Sequence, residues 1–385
     1  MSDYKALSTA NLPDPAIDPS QGSSPEDYFG TLLWSGDDNA TRTVAIGQSG
    51  VTGDVNFTPD FSWIKRRNGA TNGSDHMLLD AVRGVGSFNA LSSNGTQEEG
   101  RTAAGSSWAN FGDIDTYTTD GFTVQKGSDP SHTLEGINQS GGTYVAWNWK
   151  ANGSGVSNTD GSITSTVSAN TESGFSIVSY TGNDTIGATI GHGLSEAPEM
   201  IIVKDREAAT NWTVYHASNT SAPETERLKL NSSDATGDFI YWNDTAPTSS
   251  VFTVYSGSGV NGPRDHIAYC FHSVEGFSKF GSYTGNGSAD GPFVYTGFRP
   301  SFVMVKRTDS ANAWVMYDTA RETENVHNSI LLAESSGAET TTGNTLDIIS
   351  NGFKLRSSEG ATNASGGTYI YMAFAEMPTK FSLAR

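Results

Sequence analysis

Two carboxylate and guanidinium pairs at the same three-residue spacing, Asp80 with Arg83 and Asp318 with Arg321, are the most specific polar coincidence in this chain. Each pair follows an apolar β-prone run, and the spacing lets the arginine fold back onto the carboxylate through charge-assisted hydrogen bonds. The expectation is a structural ion pair that fixes a turn, with a ligand clamp as the competing reading. The corresponding place between them holds His216 and no arginine. Any function common to all three places must tolerate that loss.

Other chemistry is thinly signalled. The seven histidines form no i, i+4 pair and no Cys/His cluster of zinc-site spacing, so neither metal nor cofactor is expected. The lone Cys270 lies in an apolar segment and reads as a small core hydrophobe. Asx-rich loops at Asp37-Asp38-Asn39, Asn183-Asp184 and Asn286-Gly287 read as turns, because none has the ligand spacing of a calcium loop. Glycoside cleavage needs two carboxylates roughly 5 to 10 Å apart. No acidic pair stands at equivalent places along the chain to suggest one. In Trp212-Thr213-Val214-Tyr215 and Trp314-Val315-Met316-Tyr317, an extended chain sends Trp and Tyr to opposite faces. The tryptophans are assigned to the core. Tyr215 and Tyr317 are the candidate ligand-binding residues, as ring platforms for a sugar.

These residues sit in segments that recur three times. An aromatic-Ser/Thr-Gly triplet opens each copy (Trp34-Ser35-Gly36, Tyr180-Thr181-Gly182, Tyr283-Thr284-Gly285), and a proline-led apolar run ending in Lys65, Lys204 or Lys306 follows. The closing runs are Thr143 to Trp149, Asp265 to Phe271 and Thr368 to Phe374. A period of roughly 100 residues is domain-sized, well beyond solenoid repeats. Short runs rich in Val, Ile, Phe, Tyr and Trp, bounded by Asn-Gly and Asp-Gly dipeptides, predict strands and turns, with helix confined to single turns near Asp80 to Arg83 and Asp318 to Arg321. The fold class is therefore all-β: three tandem β-sandwich modules, jelly-roll or immunoglobulin-like, with an extended N-terminal arm. The expected boundaries are an arm at 1–27, modules at 28–151, 174–274 and 275–385, and a linker at 152–173. A strand along a neighbouring module is the second reading of that linker. Alternation along the closing strands should bury one face and leave the other to solvent or a neighbour.

With 42 acidic and 23 basic residues the net charge is -19, which disfavours nucleic acid and anionic membranes. No run approaches the roughly 18 apolar residues of a membrane helix, and the start Met1-Ser2-Asp3-Tyr4-Lys5 has no signal-peptide core. Synthesis in a cytoplasm, without membrane insertion, is expected.

The string Val274-Glu275-Gly276-Phe277-Ser278-Lys279-Phe280-Gly281-Ser282-Tyr283-Thr284-Gly285-Asn286-Gly287-Ser288, followed by Gly297-Phe298-Arg299-Pro300, resembles a module family of marine tailed-phage genomes. Asn158 to Ser165 and Gly367 to Glu376 share the resemblance, which extends over roughly residues 28 to 385. It implies a structural or tail-fibre-associated virion protein and brings no catalytic residues. The resulting expectation is a non-enzymatic component of the particle exterior, in a tail fibre or tail tip. Its expected partners are other virion proteins and a host surface glycan. A capsid decoration protein and a glycan depolymerase are the alternatives.

Overall fold

The computed structural model describes residues 14–69, 74–128, 137–341 and 343–378. Its strands pair antiparallel throughout, and one strand order appears three times. The opening strand lies beside the closing strand, which lies beside the proline-led strand and then the strand after it. In the first repeat these are Phe29–Ser35, Thr143–Trp149, Phe61–Arg66 and Met77–Asp80. In the second they are Phe175–Thr181, Asp265–Phe271, Met200–Asp205 and Thr213–His216, and in the third Ser278–Thr284, Thr368–Pro378, Phe298–Arg307 and Trp314–Asp318. Each large sheet is faced by a smaller one. Thr41–Ala45, Gly121–Lys126 and Gly112–Thr118 form the first, Ala188–Gly191 and Val251–Val254 the second, and Phe293–Tyr295, Gly352–Leu355 and Leu346–Ile349 the third. The turns after Asp80 and Asp318 stay non-helical, and the one α-helix among the described residues is Gly360–Asn363.

The register places Trp149, Phe271 and Phe374 at equivalent positions, opposite Phe61, Met200 and Phe302. Their rings meet one another, with centroids 6.4, 5.6 and 6.1 Å apart. The inner faces of the three large sheets thus close a triangle around one shared core, in which Trp147, Tyr269 and Met372 occupy the next layer. This corrects the closing-strand expectation. Tyr144 and Ala146 point into the first repeat's own sandwich, while Val145, Trp147 and Trp149 point into the shared core, so neither face meets solvent.

Two boundary expectations also change. Residues 152–173 are not a free linker: Val156–Asn158 and Ser165–Asn170 extend the second large sheet beside Phe175–Thr181. The described part of the arm, 14–27, is packed rather than extended. Ile17 enters the shared core, Ala16 N donates to the Glu275 carbonyl at 3.0 Å, and Pro25 is buried at the start of a 3-10 turn. Residues 1–13 lie outside the described residues.

Candidate functional site

The Asp80/Arg83 and Asp318/Arg321 pairs form, and both are completely buried. Each does more than fix a turn, because each sits where two repeats meet. Arg83 Nε donates to Asp80 Oδ2 at 2.5 Å, and Arg83 Nη1 to Glu99 Oε1 at 2.7 Å. The second repeat supplies Arg206, whose Nη2 donates to Glu99 Oε2 at 2.6 Å, and Tyr269, whose hydroxyl donates to Asp80 Oδ2 at 2.9 Å. The third repeat meets the first in the same way. Arg321 bridges Asp318 and Glu339, Arg67 grips Glu339 through two bonds of 3.0 Å, and Trp147 Nε1 donates to Asp318 Oδ2 at 3.0 Å. Burial alone would lower the Arg83 pKa, but Asp80, Tyr269 and Glu99 hold it well above its usual value.

The seam between the second and third repeats keeps the backbone geometry and loses the Asp, Arg, Glu and Arg chain. Glu99 N to Arg206 O and Glu339 N to Arg67 O, each 2.8 Å, correspond there to Thr236 N to Thr308 O at 2.9 Å. His216 faces the Tyr371 carbonyl at 3.2 Å and accepts Ser218 N–H at its Nδ1. A carbonyl only accepts, so Nε2 carries the proton and the ring is neutral. Burial pushes its pKa down to about 4.

The repeated lysines and the residues at the start of the fourth strands complete the ring of contacts. Lys65 reaches the Ser336 carbonyl and Lys306 that of Ser233, each across a seam. Burial lowers Lys204 and Lys306 to about 8. His76 faces the Leu332 carbonyl at 3.0 Å, Trp212 donates to Ser92 O at 2.8 Å and Trp314 to Lys229 O at 2.9 Å, so each repeat bonds to the one before it and the first to the third.

Tyr215 and Tyr317, expected as ligand platforms, are core residues. Tyr215 packs edge-on against Trp242 within the second sandwich, and the Tyr317 hydroxyl donates to the Asn344 carbonyl. Alternation turned them away from the tryptophans as expected, but that second face is covered too, leaving no ring face for a sugar. Cys270 is a buried hydrophobe whose thiol burial pushes up. The Asx loops are cross-braced turns, in which Asn138, Asn261 and Asn363 each accept a backbone N–H from the loop at Asp37, Asn183 and Asn286. His132 lies outside the described residues. No cluster of three or more potential metal ligands occurs among the described residues.

A cleft of about 1030 Å³ opens at one end of the triangle, where the N-terminal segment, the first repeat and the joint at 272–275 converge. Tyr28 stands in its wall and donates to Glu172 Oε2 at 2.6 Å, with the Lys150 ammonium 5.6 Å from its ring. Burial, and then Glu172, raise the Tyr28 pKa. His272, also in the wall, is 5% exposed, and its Nε2 has no hydrogen-bond partner.

The family model for a domain of unknown function, DUF7483, matches residues 24–378, a span that takes in all three repeats. The chain belongs to the DUF7483 family. No curated protein and no solved structure matches it. Within this DUF7483 chain, sequence reasoning missed Glu99 and Glu339, which complete the buried charge chains, and the cleft residues Tyr28, Glu172 and His272. A signal for the glutamates exists, since each lies 16 to 18 residues past its arginine. The cleft had none, because its walls come from segments far apart in the chain.

Proposed function

We propose that this protein is a non-enzymatic structural component of a tailed-phage particle, standing on the particle exterior in a tail fibre or tail tip and contacting host glycan. The observation that carries the reading is the use made of the charged residues. The Asp, Arg, Glu and Lys side chains most open to a chemical interpretation are bonded into seams that lock three sheets into one body. Such a body suits load-bearing and display, since buried charge networks resist partial opening. A capsid decoration protein is the second reading, favoured by the closed form of the described chain, which has no stalk to give reach.

Mass spectrometry and antibody labelling of purified particles test this, with the protein expected at the tail. Labelling over the head selects decoration, and absence from particles overturns both. Release of sugar from host polysaccharide by the purified chain, lost on replacing one Asp/Glu pair, overturns the non-enzymatic part. The N-terminal arm, residues 1–27, is proposed as the tether to the particle, and the deletion that tests it is confined to 1–13, because removing 14–27 also strips Ile17 from the core.

A further inference from the structure

The cleft at the end of the triangle combines three features that rarely coincide on an idle surface. Its volume lies at the upper end of small-ligand sites, with room for more than one sugar ring. Its lining is mixed, with Thr58 and Ser195 hydroxyls among four carboxylates, Asp27, Glu172, Glu196 and Glu275, against the single ammonium of Lys150. Asp27 accepts the Ser24 N–H and Glu172 the Tyr28 hydroxyl. The carboxylates of Glu196 and Glu275, on exposed residues, carry no hydrogen bond among the described residues.

The independent pointer is His272. Its Nδ1 lies 2.9 Å from the Ser273 carbonyl, which can only accept, so in the neutral ring the proton resides on Nδ1. Nε2 is then a bare acceptor, buried and unpartnered, on a residue that lines the cleft. A buried acceptor without a donor is unfavourable unless something supplies the proton. A ligand hydroxyl or ammonium meets that need.

We propose that this cleft binds an amine-bearing saccharide. The sugar hydroxyls would meet Thr58 and Ser195, a small turn of the His272 ring would bring Nε2 to the sugar, and the ammonium would meet Glu196 and Glu275. The carboxylate excess turns away uronic and sulfated sugars. This deepens the glycan-contact half of the proposed function and is independent of the particle half, because a chain found in particles that fails to bind sugar leaves the particle assignment standing.

Isothermal titration of the full chain with a glucosamine trisaccharide, its N-acetylated counterpart, a uronate trisaccharide and trilysine tests it. The glucosamine form should bind, with the N-acetylated form about tenfold weaker and the uronate not detected. A Glu196→Gln/Glu275→Gln double variant should lose at least about fivefold while melting as the parent does, since both positions are exposed. His272→Phe should weaken the glucosamine and N-acetylated forms alike. Trilysine binding as tight as the sugar would reduce the cleft to an acidic patch and overturn the proposal. So would equal affinity for the uronate, or no saccharide binding at millimolar concentration.

Discussion

Where the first repeat meets the second, and again where the third meets the first, a buried Asp, Arg, Glu and Arg chain crosses the boundary. Where the second meets the third, the corresponding places hold His216, Thr236 and Thr308. The backbone hydrogen bond across each seam is nonetheless the same, within 0.1 Å. The geometry of the triangle therefore does not depend on the Asp, Arg, Glu and Arg chain. It comes from apolar inner faces and shared strand order, and the charges determine which losses each seam tolerates. Removing one member of a buried ion pair leaves the other uncompensated, whereas the seam at His216 has no such pair to break.

The sharpest break of this contrast is Arg83→Ala or Arg321→Ala, each expected to cost about 3–5 kcal/mol by chemical denaturation. A loss near 1 kcal/mol would mean that the ion-paired seams are no more committed than the one at His216. Phe374→Ala, which removes a ring common to all three sheets, should cost about 3–5 kcal/mol irrespective of seam chemistry. The seam at His216 should instead reveal itself in acid. The folded His216 pKa of about 4 lies below the unfolded value of roughly 6.5, so between these pH values the unfolded chain binds more protons. Its contribution is intact above about pH 6.5 and lost as pH falls toward 4, by about 3 kcal/mol relative to a His216→Gln variant measured in parallel.

Asp54 gives a smaller effect of opposite sign. It lines a small cleft between the first and third repeats, where burial raises its pKa to about 6 against the Thr31 N–H that it accepts at 2.6 Å. The folded chain thus binds the extra proton between about pH 4 and 6, and the ionised carboxylate is a burden above that window. Asp54→Asn keeps an acceptor for Thr31 and should stabilise by about 1–2 kcal/mol at pH 8, with no gain at pH 4. Smallest of all is Glu98→Ala. Its contact with Arg101 is 3.8 Å long with both side chains nearly half exposed, so a change below about 0.5 kcal/mol is expected in thermal melts.

Strand identity, the recurrence of the opening and closing runs and the two Asp/Arg pairs could be read from residue order, because each rests on local spacing. Burial of both faces of the large sheets was also written there, in runs such as Tyr144-Val145-Ala146-Trp147, which are apolar without interruption and so mark strands covered on both sides. Reading such runs as alternating made Tyr215 and Tyr317 look like surface platforms. The triangle itself was not legible. It depends on which apolar face meets which across more than a hundred residues, and no local pattern encodes that choice. The cleft shares this limit, since His272 becomes notable only once its surroundings leave Nε2 unpartnered.

Side-chain hydrogen bonds that join the first repeat to the third link residues 171 to 272 positions apart in the chain. During synthesis, Trp63, Trp147 and Trp149 emerge early, while the residues that cover them, Phe302 and Phe374 among them, are made near the end. Loop-closure entropy on that scale slows assembly, and a half-made chain carries a large sticky apolar surface for as long as the ribosome needs to finish. A premature stop before the third repeat would thus yield an aggregation-prone fragment, two sheets whose inner faces still await the wall that shields them from water.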